Sequence, residues 1–153
     1  MRDQWYFAYG SNLHAQQMED RTGVVGEARR VRLVGYRMMF NKRGGDGTGK
    51  ANIVWDPTGV VWGVIYRCSS DELNKMDFYE GVAKGHYHRL QVEVQSEDGE
   101  GIQATTYVAG DSFIDDSLVP GEGYLQTVLK GASEQGLPID YIHDIEMAAG
   151  LGS

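Results

Sequence analysis

Three short stretches of this chain carry residue types able to do chemistry. The first is Tyr79-Glu80-Gly81-Val82. Glu80 falls where a helix capped by Ser69 or Ser70 should end, and there the helix dipole opposes a carboxylate charge. Asp77, three residues back on the same face, adds like-charge repulsion, while Leu73, Met76, Phe78, Tyr79 and Val82 offer apolar surroundings. Each effect raises a carboxyl pKa, and a Glu poised nearer neutrality suits a general acid or base. On the residues alone, a solvated Glu in a helix-ending turn is the plainer reading.

The second stretch is Tyr9-Gly10-Ser11-Asn12, between an aromatic strand and a helix. Glycine lets the backbone approach a ligand closely, and successive N–H groups at a helix start attract a carboxylate or phosphate. Ser-Asn capping the helix is the common alternative. The third is Gly44 to Ala51, G-G-D-G-T-G-K-A, one residue short of a phosphate-binding loop. Ala51 stands where Ser or Thr must hold magnesium, and the following Asn52-Ile53-Val54-Trp55 reads as a strand rather than a helix. A flexible loop beside a pocket is expected there, and no nucleotide site. Cys68 lacks a sequence-adjacent base and is expected as a half-buried strand-end residue. His86 and His88 alternate to one face without an evident third ligand, so no metal is expected.

The elements that must position these residues follow from periodicity. Gln4 to Tyr9 is an aromatic strand, followed by a helix over Leu13 to about Arg21. Val31 to Phe40 is extended, Asn41 to Lys50 a loop, and Ala51 to Trp55 a strand. Asp56-Pro57-Thr58-Gly59 has turn chemistry and predicts a hairpin with Val60 to Arg67. Ser69 and Glu72 have capping-box spacing for a helix through about Tyr79. Tyr87 to Gln95 and Ile102 to Ala109 form a second hairpin. Helices are expected over Gly123 to Gln135, ended by Gly136, and after Pro138. The fold class is α+β: a small mixed or antiparallel barrel flanked by helices.

Composition bounds what such a fold could serve. The chain has 153 residues, 41% of them apolar, which suits a single domain spanning 1–153 with one core. The net charge of −8 opposes phosphate-backbone binding, so nucleic acid is not expected as a partner. Arg29, Arg30 and Arg32 read as a solvated strand edge. One cysteine forms no internal disulfide, Trp5 to Tyr9 reads as strand rather than leader, and no apolar run reaches the ~20 residues of a membrane span. A cytoplasmic protein without membrane contact is expected.

At these residues the sequence resembles the γ-glutamylcyclotransferase family. Tyr6-Phe7-Ala8-Tyr9-Gly10-Ser11-Asn12-Leu13 looks like that family's first strand and substrate loop. Asp77 to Gly85, D-F-Y-E-G-V-A-K-G, looks like its catalytic segment, and Val60-Val61-Trp62-Gly63-Val64 like the strand before it. Gly131 to Pro138, G-A-S-E-Q-G-L-P, resembles its late helix junction. The similarity runs from about residue 5 to 145.

The resemblance implies a small barrel with flanking helices and no cofactor. Its implied activity is release of 5-oxoproline from γ-glutamyl amino acids, a small-molecule substrate. It implies Glu80 as acid/base, with Tyr6, Phe7, Ala8, Tyr9, Gly10, Ser11, Asn12, Tyr87 and Tyr124 as substrate-binding residues. Branches of the family act on glutathione or γ-glutamylamines; the Y-F-A-Y-G-S-N-L opening favours γ-glutamyl amino acids. A non-catalytic binder on the same fold is the alternative. A homodimer is left open.

Overall fold

The structure, a computed structural model, describes residues 3–150. Five strands close into a barrel in the order β1-β3-β2-β4-β5. They are β1 (Gln4–Ala8), β2 (Arg29–Arg43), β3 (Gly49–Cys68), β4 (Tyr87–Gln95) and β5 (Gly101–Ala109). β1 and β5 pair parallel through Tyr6 and Thr105, and the other neighbours pair antiparallel. The barrel is therefore mixed, and closure leaves no long open edge. Four α-helices flank it: α1 (Ala15–Thr22), α2 (Ser70–Tyr79), α3 (Glu122–Glu134) and α4 (Ile139–Ala148). Phe7, Val31, Val61, Ile65 and Val94 fill the barrel side of the core, while Leu13, Met18, Leu73, Met76 and Val128 bring the helices onto it.

Two sequence expectations change form. Asp56 to Gly59 does turn, but not into a hairpin. β2 pairs with β3 on both sides of it, Val34 with Val60 and Tyr36 with Trp55, so four residues loop out as a bulge in one long strand. Thr58 donates its backbone N–H and its hydroxyl to Asp56, the local hydrogen bonding that makes Asp a turn former. Gly59 is required where the loop returns, since a Cβ would lie 2.3 Å from the Tyr36 carbonyl oxygen. The expected loop over Asn41 to Lys50 is likewise shorter. β2 runs to Arg43 and β3 starts at Gly49, leaving a tight turn between them. No helix follows the glycines, so the phosphate-loop reading has no dipole to act through.

α2 matches its capping signal. The Ser69 hydroxyl accepts the Glu72 N–H at 3.1 Å and the Glu72 carboxylate accepts the Ser69 N–H at 2.8 Å, a reciprocal cap typically contributing about 1 kcal/mol. Leu73 and Met76 anchor its inner face. Glu80 is the C-cap, its N–H donating to the Met76 carbonyl at 2.9 Å. Gly81 follows at φ +64°, and a Cβ there would press within 3.0 Å of His86. The chain therefore turns sharply just after Glu80 and fixes where its side chain emerges.

α3 fixes the other wall. A Cβ on Gly131 would lie 2.4 Å from the His14 nitrogen, so only glycine lets α3 press onto the loop after β1. Gln135 donates to the Leu13 carbonyl at 3.0 Å across the same contact. Ser11 to Leu13 form one 3₁₀ turn, and His14, without a side-chain cap, precedes α1. The expectation that Ser11 or Asn12 caps the helix fails because both side chains turn elsewhere.

Candidate active site

A cavity of about 860 Å³ lies between the end of β1, the end of α2, the β2–β3 turn and the start of α3. Glu80 stands on its wall. The side chain is half-buried because one part faces the cavity while protein surrounds the rest. Its pKa is raised from 4.5 to about 7. Burial is the main cause, opposed by Arg21 and Lys42 and reinforced slightly by Asp77. The order differs from the sequence argument, which weighted repulsion and dipole alongside burial. Asp77 counts for little because its charge is already matched. Arg89 grips it with two bonds of 2.8 Å, and the Tyr107 hydroxyl donates to it at 2.6 Å.

Opposite stands the Gly10-Ser11-Asn12 loop. Among the described residues, the backbone N–H groups of these three donate to no protein acceptor. Gly10 is needed for packing as well as access: a Cβ would lie 2.9 Å from the Ala51 Cβ and 3.5 Å from the Tyr124 hydroxyl. The Ser11 hydroxyl accepts from Gln17 at 2.6 Å. The Asn12 amide donates to the Tyr6 hydroxyl at 3.0 Å and its carbonyl accepts from Gln17 at 3.0 Å. The Tyr66 hydroxyl donates to the Asn12 backbone carbonyl at 3.0 Å. The loop is thus braced from α1, β1 and β3 together.

Four tyrosines complete the wall. Tyr9 donates to the Tyr107 carbonyl at 2.7 Å and Tyr87 to the Ala51 carbonyl at 2.7 Å. Tyr124 accepts the Ala51 N–H at 3.0 Å, and its ring meets Phe40 edge-on. Burial, with Glu80 nearby, raises the pKa of Tyr6, Tyr9, Tyr87 and Tyr124, the last to about 12. All four are neutral hydroxyls at physiological pH, whereas the Glu80 carboxyl is raised toward neutrality.

The structure thus brings Glu80, Tyr6, Tyr9, Gly10, Ser11, Asn12, Tyr87 and Tyr124 to one cavity. Phe7 and Ala8 do not belong to it. Successive strand side chains point to opposite faces, which turns Phe7 away from Tyr6. Phe7 is fully buried and packs over Gly63, where a Cβ would come within 2.7 Å of its ring. Its carbonyl accepts from Thr106 at 2.9 Å, and Ala8 is equally buried. Both are core residues; truncating such a Phe costs about 3–5 kcal/mol.

Cys68 lies outside the cavity, buried, its thiol pushed up to about 12 by burial, too high to act as a nucleophile. His86 lines the cavity and stacks on Phe113 at 4.0 Å. His88 is exposed on β4. Among the described residues no cluster of three His, Cys, Asp or Glu could hold a metal.

Sequence reading assigned no role to the cations of the wall, Arg21, Lys42, Lys50 and the exposed Lys84. A weak signal existed for Lys42, which continues the Tyr36, Met38, Phe40 alternation by one step. The loop expected from Asn41 onward hides it, whereas β2 continues to Arg43. Arg21 lies 5.3 Å over the Tyr79 ring and Lys50 4.5 Å over the Tyr124 ring. Burial lowers the Lys42 pKa, against the pull of Glu80.

A closed mixed barrel with four outer helices and a half-buried carboxylate sharing a cavity with a glycine loop defines a class, and comparison with known proteins agrees. Residues 60–145 match the AIG2-like family. Human gamma-glutamylcyclotransferase is 31% identical over 141 residues, spanning 89% of this chain and 73% of that protein. A solved gamma-glutamyl cyclotransferase superposes with a TM-score of 0.84 at 29% identity, covering 95% of this chain and 87% of the other. A yeast cyclotransferase specific to glutathione shares the fold at a TM-score of 0.69 and 11% identity, over 98% and 96% of the two chains. The chain belongs to the γ-glutamylcyclotransferase family of enzymes. Among the described residues no helix is long and apolar enough to cross a membrane.

Proposed function

We propose that this protein releases 5-oxoproline and a free amino acid from γ-glutamyl amino acids, with Glu80 as the proton shuttle. The observation that carries the proposal is Glu80 itself: a carboxyl with a pKa of about 7 on the wall of a cavity, opposite a loop with undonated backbone N–H groups. Family membership supports the same chemistry.

The substrate brings its own nucleophile. Ionised Glu80 takes a proton from the α-ammonium, whose usual pKa is roughly 8. The freed amine attacks the γ-carbonyl and closes a five-membered ring. Electrons move onto the carbonyl oxygen, which the N–H groups of Gly10, Ser11 or Asn12 stabilise. The intermediate collapses as protonated Glu80 gives its proton to the leaving amine. The C–N bond breaks. Glu80, ionised again, takes the second proton from the ring nitrogen and passes it to the departing amine, which leaves as an ammonium, and 5-oxoproline forms with Glu80 ionised once more. A carboxyl near pH 7 is populated in both forms, so it serves as base and then acid, each role contributing about 10²–10⁴-fold. Holding the flexible γ-glutamyl arm in its cyclising shape adds up to roughly 7–11 kcal/mol in ideal intramolecular cases.

The leaving group is an amino acid rather than the cysteinylglycine of glutathione. The Y-F-A-Y-G-S-N-L opening favours this branch, and identity is higher to the γ-glutamylcyclotransferases than to the glutathione-specific enzyme. Incubation with γ-glutamyl-L-alanine should yield 5-oxoproline and alanine in equal amounts, faster than glutathione is consumed. Preferential turnover of glutathione would reassign the branch, and stable binding without either product would make the protein a binder.

A further inference from the structure

We propose that Lys42 is the cation that receives the α-carboxylate of the γ-glutamyl substrate, held in place by His86. The inference rests on the activity proposed above and names a contact that activity does not require. Lys42 is a lysine only 4% exposed, at the edge of the cavity. Its Nζ lies 2.7 Å from His86 Nδ1, 5.0 Å from the centre of the Tyr87 ring and 5.1 Å from that of Phe113. Among the described residues no carboxylate comes within ion-pair range of it.

That environment is unusual for a lysine. Ammonium groups withdrawn from water are normally paired with an anion. Two aromatic faces and one imidazole supply part of the lost hydration, and the residue lines the cavity. The other cations of the cavity differ: Lys50 approaches Asp46 at 3.4 Å, Arg21 approaches the Asn12 side-chain carbonyl at 3.4 Å, and Lys84 is exposed to solvent. Lys42 is thus the cation of the wall held under protein without an anionic or amide partner.

The substrate supplies the missing anion. The α-amine must reach Glu80, and the α-carboxylate sits on the same carbon as that amine. Lys42 and Glu80 line the same cavity, and an α-carbon held between them presents its amine to one and its carboxylate to the other. His86 is the positioning residue: its Nδ1 accepts from the ammonium, which fixes the proton on Nε2, and the stack on Phe113 fixes the ring. The carboxylate contact leaves the loop N–H groups free for the carbonyl oxygen.

The test is a cycle of two ligands and two proteins in the Glu80→Gln background, where ligand is held without turnover. The ligands are γ-glutamyl-L-alanine and 4-aminobutanoyl-L-alanine, which lacks only the α-carboxylate. With Lys42 present, calorimetry should show the first binding about 10- to 100-fold tighter, the range of a charge-assisted contact. Lys42→Met should weaken γ-glutamyl-L-alanine by that factor and bring the two ligands within about threefold. Lys42→Gln should do the same, and both should keep the wild-type far-ultraviolet dichroism. A merely structural lysine would weaken both ligands alike, which overturns the proposal. So would a Lys42 that discriminates γ-glutamyl-ethylamide from γ-glutamyl-L-alanine instead, since it would then read the leaving group's carboxylate. Wild-type 5-oxoproline release is measured alongside. Lys42-dependent binding without turnover would sink the enzymatic reading and keep the contact, whereas turnover without Lys42-dependent binding would sink the contact alone.

Discussion

Replacing Glu80 with Gln should make the fold more stable, and the gain should depend on pH in a calculable way. The folded carboxyl has a pKa of about 7 against an ordinary 4.5, mainly because burial penalises its charged form. The folded state therefore binds this proton more tightly than the unfolded state does. Below pH 4.5 both states are protonated and the site contributes nothing to the pH dependence. Between 4.5 and 7 the unfolded chain ionises first, and wild-type stability falls as pH rises. Above 7 both states are ionised and the full penalty stands. At about 1.4 kcal/mol per tenfold change in proton affinity, the penalty is about 3 kcal/mol.

Glutamine keeps the size and cannot ionise, so the variant escapes this loss. With ~2–4 °C per kcal/mol for a chain of this size, its thermal midpoint at pH 8 should exceed wild type by about 6–12 °C. The gap should close on moving to pH 4. Thermal melts of both proteins from pH 4 to 8 read it directly. A gap that stays constant across that range would refute a raised Glu80 pKa, and a variant less stable than wild type at pH 8 would make Glu80 a structural anchor.

Three further outcomes follow. Gly10→Val should abolish substrate binding, because the new Cβ would meet Ala51 at 2.9 Å and its branches would point at Tyr124; a variant with unchanged KM would show that the loop has room to move. Phe7→Ala should lower the unfolding free energy by about 3–5 kcal/mol while leaving KM of the folded enzyme nearly unchanged, which separates this core residue from its neighbour Tyr6 in denaturant melts paired with kinetics. Activity should survive exhaustive EDTA treatment, since a substrate that carries its own nucleophile needs no Lewis acid; loss on chelation with recovery on adding zinc would revive a metal role for His86.

Where local chemistry decides structure, the sequence was legible. The Ser69–Glu72 cap, the strand ending at the Gly10 loop and the glycine closing α3 each depend on a few adjacent residues. Glu80 at the end of α2 followed from periodicity plus a cap. Asp56 to Gly59 misled because turn chemistry is the same in a hairpin and in a bulge. What separates them is whether β2 is long enough to pair on both sides, which is a tertiary fact. Phe7 and Ala8 were drawn into the site by a contiguous motif, whereas strand alternation turns Phe7 away from Tyr6 and packing buries Ala8 in the core. Lys42 was hidden because its segment read as a loop, whereas β2 runs on to Arg43 and carries the Tyr36, Met38, Phe40 alternation to it. Burial, the main cause of the Glu80 shift, depends on β1, α2, α3 and the β2–β3 turn converging, and no local pattern records that.

The central claim is that Glu80 moves the proton in ring closure. It is tested most directly by comparing 5-oxoproline release from γ-glutamyl-L-alanine by wild type and Glu80→Gln at saturating substrate and neutral pH. The account predicts a loss in kcat of at least about 10²-fold, the low end for a general acid/base, with KM little changed and the variant fully folded. Turnover near the wild-type rate in that folded variant would contradict it.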